Sequence, residues 1–356
     1  MKKPFHNLFF SKPIPLFLIL LLFLMPPSVF ADKLFKSKPY PPKRSFSFYM
    51  ENDVFAGQDR QYTNGIKLTW SRFGMERYPD SRPYKWLYPI VNFVGFGKTE
   101  GSLKAVTFSI GQNIYTPDDI EKKELIKDDR PYAGITYLEI GFHQRYGRHM
   151  DTLEFYGGIV GPDSYAEEVQ TAVHNILKSK HPKGWDNQLN DEPVLGLIYE
   201  YKKRLVATNL EQGFGHDLIL NTGGGIGNAQ TYYSMGLLLR VGMHLPDDFG
   251  DYPIRPASCF NAVLHEKSTI RDNKFGIHLF AGANANAVIR NIFLDGNTFS
   301  SSHSVNKKPL VGRFIGGIAF NYGSFKASLA YVYQSKSFDE QKKSQQFGSI
   351  NISFLY

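Results

Sequence analysis

The chain has 356 residues, 42% of them hydrophobic and 15% aromatic, with a formal net charge of +8. A single cysteine, Cys259, excludes an intrachain disulfide framework. The basic excess suits an anionic partner without identifying one, and no nucleic-acid partner is expected.

The first segment reads as an export signal. Lys2, Lys3 and Lys12 precede an apolar core from Leu16 to Met25, and Val29-Phe30-Ala31 offers small residues for cleavage. That core is shorter than the ~20 apolar residues of a spanning helix, although an uncleaved anchor is the alternative. The expected organisation is a signal peptide over 1–31, an N-terminal periplasmic segment over 32–44 and one barrel domain over 45–356. Beyond residue 31 no apolar run is long enough for a transmembrane helix.

Period-2 alternation then recurs along the chain. Phe46, Phe48 and Met50 alternate with Ser45, Ser47, Tyr49 and Glu51, and Ile66, Leu68 and Trp70 with Lys67, Thr69 and Ser71. Val106, Phe108 and Ile110 continue the pattern. Further segments fall at 133–146, 150–160, 194–205, 216–227, 232–243, 275–290, 310–322, 324–335 and 346–356. About twelve such segments, each near the ~9–11 residues of a tilted membrane strand, predict an all-β transmembrane antiparallel barrel. A soluble sandwich or lipocalin-like barrel shares the alternation. The 21 Tyr and 29 Phe, and a last strand ending on Tyr356, favour the membrane form. That terminal strand resembles those read by the outer-membrane assembly machinery, and a monomer is expected.

Between Pro162 and Pro182 the period becomes helical, with Val169, Ala172, Val173, Ile176 and Leu177 forming an apolar stripe. Ser164 and Glu167 read as a capping box that starts the helix. This short helix must plug the lumen or lie against the rim. With both termini at the periplasmic end, the connections 52–64, 112–132 and 161–193 face outward. The stretches 74–101 and 245–273 then fall on the periplasmic side, where turns are normally short.

The outward connections carry the polar residues of interest. Strand parity puts Asp53 and Thr63 on the polar faces of the first hairpin, while Asn52 has the opposite parity. Their oxygens suit Ca²⁺, and an ordinary polar Asx turn is the other reading. Lys122, Lys123 and Arg130 could grip phosphate or form a solvated charged loop. Gln170 and His174 share one helix face; imidazole near neutral pH suits a general base, although most helix histidines are surface or packing residues. No G-x-S-x-G elbow or H-E-x-x-H motif is present, and Gly95-Phe96-Gly97-Lys98-Thr99 lacks P-loop spacing.

Taken in order, Asn52-Asp53, Tyr62-Thr63-Asn64-Gly65, Ile114-Tyr115-Thr116-Pro117, Asp129-Arg130-Pro131-Tyr132-Ala133-Gly134, Gly161-Pro162, Gln170/His174 and Trp185 resemble the outer-membrane lipid A 3′-O-deacylases of the LpxR type. The resemblance spans nearly the whole exported chain. It implies a twelve-stranded barrel with its site between the wall and a short helix on the outer-leaflet side, and removal of the 3′-linked acyl or acyloxyacyl group of lipopolysaccharide. It implies His174 as general base, Ca²⁺ near Asn52, Asp53 and Thr63, Gln170 in the catalytic set, and Lys122, Lys123 and Arg130 on substrate phosphate. The alternatives are an outer-membrane phospholipase and a non-catalytic barrel or channel. Two departures stand out. The family pattern has an acidic residue soon after the helix histidine, where this chain has Lys178-Ser179-Lys180-His181, and the 74–101 segment is long for the family.

Overall fold

The computed structural model describes residues 43–53, 61–78, 84–96, 98–177, 179–208, 213–250 and 275–356. The expected signal peptide, most of the segment 32–44 and Cys259 lie outside them.

Alternating sequence gives alternating side chains, and twelve strands close on themselves in consecutive antiparallel order. They are β1 (Lys43–Asn52), β2 (Gln61–Met75), β3 (Leu103–Thr116), β4 (Ala133–Tyr146), β5 (His149–Val160) and β6 (Glu192–Thr208). The circuit continues with β7 (Phe214–Gly227), β8 (Gln230–Met243), β9 (Gly276–Asn291), β10 (Leu310–Tyr322), β11 (Phe325–Gln334) and β12 (Gln345–Leu355). Each coincides with a predicted segment. Lys43 and Arg44 belong to β1 rather than to the preceding segment, because Arg44 exchanges backbone hydrogen bonds with Tyr356 where the barrel closes.

The two faces distinguish a membrane barrel from a soluble one. Ser47, Lys67, Thr69, Ser109, Glu139, Glu154, Lys202 and Asn351 are buried inside, while Leu138, Leu195, Leu237, Leu279, Phe314 and Leu329 are exposed outside. Polar-in and apolar-out is the arrangement a lipid surround requires. No described helix is long and apolar enough to cross a membrane.

The lumen is filled. Lys67 binds Glu139 at 2.8 Å across its middle, and His143 bridges Thr107 and Thr152. At the outward mouth a single helical turn, Ile292–Asp295, drops Phe293 onto Tyr115 with ring centroids 4.1 Å apart. At the opposite end the first part of the long β8–β9 connection folds into the barrel, burying Leu245 and Phe249. Its Asp247 binds Arg145 and Arg204, and its Asp248 binds Arg240 and Lys326. The other long connection on that side holds the helix α1 (Tyr84–Phe93), which the sequence pattern did not reveal.

Candidate active site between a helix and the outer wall

The helix α2 (Ala166–Leu177) follows β5 in the third outward connection. Its position follows from strand alternation. Glu139 and Tyr137 face the lumen, so Thr136 and Gly134 on β4, with their partners Gln112 and Ile114 on β3, face outward. Gln112 Nε2 and Thr136 Oγ1 both donate to the Ser164 carbonyl, at 2.7 and 2.8 Å. A Cβ on Gly134 would stand 2.1 Å from the Ala166 Cβ, so only glycine admits the helix at this distance. The helix therefore lies on the outer face of the barrel at the outward rim, not in the lumen.

Two expectations about α2 change. Ser164 is no N-cap. It ends a 3-10 turn, its hydroxyl donates to the Gly161 carbonyl at 2.6 Å, and Tyr165 at φ 56° separates it from the helix. The apolar stripe does not define the packed face either. Ala166, Gln170 and His174 are the buried positions, Val169 and Val173 are half-buried, and Ala172 and Ile176 are exposed. The packed face thus carries the polar Gln170 and His174, the apolar stripe runs along one flank, and the side away from the wall mixes Glu168 and Asn175 with Ala172.

Hydrogen bonds orient the two polar side chains on that face. Trp185 Nε1 donates to Gln170 Oε1 at 2.9 Å, which fixes the amide and leaves buried Gln170 Nε2 without a hydrogen-bond partner in the structure. His174 Nδ1 is hydrogen-bonded to the Lys180 carbonyl. A carbonyl only accepts, so Nδ1 carries the proton and the neutral ring keeps its lone pair on Nε2. A backbone oxygen therefore orients the ring, which no side-chain pattern could signal. Lys180 Nζ binds Glu121 Oε2 at 2.7 Å and holds that carboxyl below the usual range, tying the turn after α2 to the second outward connection. Lys183 N also donates to the Ile120 carbonyl at 2.8 Å.

The hairpin residues extend the same outer face. Glu51 faces the lumen, so Asn52 faces out. Register aligns Asn52 with Asn64, Asn64 with Ile114, and Ile114 with Gly134. Four strands at ~4.8 Å spacing make this row about 14 Å wide, starting beneath Ala166. Thr63 departs from simple parity. A register shift between Tyr62 and Asn64 makes it a bulge, and its hydroxyl meets that of Thr116 at 2.8 Å on the outward side. Asp53, fully buried, follows the last β1–β2 pair, Asn52 with Asn64; it shares the parity of lumen-facing Glu51, so strand alternation does not bring it to the outer face with Asn52 and Thr63. A carboxylate, an amide oxygen and a hydroxyl are hard donors whose chemistry fits Ca²⁺. No group of three His, Cys, Asp or Glu placed to hold a metal ion occurs among the described residues, so a site built from these alone would draw on neutral oxygens.

The basic residues divide. Lys122 and Lys123 are exposed on the second outward connection, with Lys123 Nζ 3.9 Å from Asp186. Arg130 is buried, its guanidinium 5.4 Å from the centre of the lumen-facing Tyr115 ring and 5.9 Å from that of Phe338. Burial lowers its pKa, opposed by Asp129. Arg130 therefore packs against aromatic rings of the mouth, and with Lys122, Pro131 and Tyr132 it also lines a small pocket under the second outward connection.

No curated protein matches the chain in sequence. Among solved structures, LpxR from Salmonella typhimurium superposes with a TM-score of 0.70 at 18% identity, covering 87% of this chain and 99% of that one. The β domain of the Bordetella autotransporter BrkA is similar at 9% identity and a TM-score of 0.41, covering 88% and 98%. The translocator domain of NalP from Neisseria meningitidis gives 9% and 0.35, covering 89% of each chain. The family model described as outer membrane protein LpxR matches residues 16–356. With that match running over nearly the whole sequence, the chain belongs to the LpxR outer membrane protein family.

Proposed function

We propose that the protein is a lipid A deacylase of the outer membrane, hydrolysing the ester of the 3′-linked acyl or acyloxyacyl group in the cleft between α2 and the outer wall. The observation that carries this reading is the orientation of His174: Nδ1 is engaged by the Lys180 carbonyl, and Nε2 is left with its lone pair on a ring buried against the wall. A site on the outside of the barrel opens directly to lipid, and a lipid ester reaches it without entering the lumen.

His174 Nε2 takes a proton from water as the water oxygen bonds to the ester carbonyl carbon. Gln170 Nε2, held by the Trp185 bond to its amide oxygen, supplies a donor for the carbonyl oxygen as it gains charge. The carbon–oxygen ester bond then breaks, and the imidazolium returns the proton to the departing sugar oxygen. Ca²⁺ held by Asp53, Asn52 and Thr63 would supply Lewis-acid polarisation of the ester carbonyl. Lys122 and Lys123, exposed beside this cleft, hold the glucosamine phosphate. Against a channel stand the ion pairs and the packed Phe293 and Phe249 that cross the lumen.

The test is fatty-acid release from lipopolysaccharide and from phospholipid vesicles with added Ca²⁺, comparing wild type with His174→Ala. Release from lipopolysaccharide by wild type, lowered on the order of 10²–10⁴ in the variant, is expected. Equal release by both proteins discards the His174 mechanism, and preferential release from phospholipid makes the protein a phospholipase.

A further inference from the structure

The helix α1 has no part in this chemistry. It lies at the termini end of the barrel, on the same flank as α2, and its residues divide into three faces. Tyr84, Leu87, Tyr88 and Val91 pack onto the wall over Val106, Phe142 and Leu153, the outward positions of β3, β4 and β5. Tyr78, Tyr84 and Tyr88 all meet the edge of the Phe142 ring. Trp86, Ile90 and Phe93 occupy the opposite side and are 69%, 42% and 78% exposed. Lys85 and Asn92, also exposed, fall on one edge about 100° from both other faces, at 3.6 residues per turn. The helix ends rigidly. Gly95 at φ 73° donates to the Asn92 carbonyl and Phe96 N to that of Val91, a Schellman closure, with Phe96 packed on Val91.

A helix between a periplasmic protein and water would show a polar outer face. This one shows three large apolar side chains, and they continue the lipid-facing belt. From Val106 under α1 to exposed Ile110 is four residues along a tilted strand, about 10 Å of height. Leu138 pairs with Ile110 and is also exposed, so the belt begins directly above the helix. The remaining polar edge is the one a membrane-surface helix turns to water.

We propose that α1 is a lipid-immersed foot, with Trp86, Ile90 and Phe93 among the acyl chains just beneath the phospholipid headgroups of the inner leaflet, and Lys85 and Asn92 at the water edge. A tryptophan at that depth holds the barrel at a set height in the bilayer, since its ring prefers the boundary to either side of it.

The test uses the full chain in phospholipid vesicles, reading the fluorescence of Trp86 as the difference between wild type and Trp86→Phe. Lipids brominated near the carbonyl end of the acyl chains are expected to quench this component roughly twofold, more than lipids brominated near the methyl end. Iodide on both sides of the membrane is expected to leave it unchanged. Quenching by iodide without quenching by bromolipid overturns the proposal and returns the face to water, open to a periplasmic partner. Quenching by neither also overturns it, because the face is then covered by protein, a second copy included.

Discussion

At the termini end of the lumen, Arg145, Arg204, Arg240 and Lys326 meet Asp217, Asp247 and Asp248, and every carboxylate oxygen accepts from a partner. In the cleft under α2 the polar groups are also buried, but capacity is left over. Gln170 Nε2 has no hydrogen-bond partner and His174 Nε2 keeps a lone pair. The first region uses charge to seal and stiffen a barrel whose interior is polar. The second holds its polar groups in orientation through neighbours and leaves Gln170 Nε2 without a partner. Buried polar groups left unmet cost stability, a cost that Gln170 bears for the role proposed for it.

Asp217→Ala strikes the sealed region and should be the most costly change. It takes one of two carboxylates from both Arg204 and Arg240, which keep Asp247 and Asp248, and loss of one member of a buried pair costs about 3–5 kcal/mol, read as a lower denaturation midpoint of the folded band. Acid tests the same network through Asp248. Burial alone would raise the Asp248 pKa, but Lys326 and Arg240 outweigh it and hold the carboxyl well below its usual range. Its stabilising contribution is therefore complete above the ordinary carboxylate range. It is lost only as pH falls from there through the depressed folded value. The stability difference between wild type and Asp248→Asn, followed from pH ~7 to below ~4, should stay flat and then shrink, and a difference that shrinks from neutrality onward would contradict this.

Gly134→Val breaks the cleft alone. The new side chain collides with Ala166 and Ser164, lifting α2, and a displacement near 1 Å should lower ester hydrolysis about 10²-fold with the barrel still folded. Trp185→Phe removes the N–H that sets the Gln170 amide; a loss of roughly tenfold in turnover is expected at unchanged substrate affinity. Lys180→Ala is the smallest. It deletes an exposed ion pair with Glu121 while keeping the carbonyl on His174, so activity should stay within about threefold of wild type.

The strands were legible because alternation is local, and all twelve fall where the period predicts. The candidate site was readable as a set of residues and only partly as a geometry. Asn52 looked misplaced while that set was placed inside; on the outer face, where α2 packs, its parity fits and that of Asp53 does not. The α2 stripe of Ala172 and Ile176 does not mark the packed face, because polar Gln170 and His174 take the positions against the wall. Thr63 escaped parity through a bulge, and α1 was hidden in a segment with Pro89 inside it. The plug from Leu245 to Gly250 depends on ion pairs reaching across to β4, β6, β8 and β11, which no window of sequence contains.

Because the histidine is steered by a main-chain oxygen, replacing side chains one at a time along 178–181 is blind to it. What matters there is the count of residues, not their kind. Deleting or adding one residue between His174 and Lys180 would rotate that oxygen away and reassign the ring's proton, while charge reversals at the same positions leave the ring as it is.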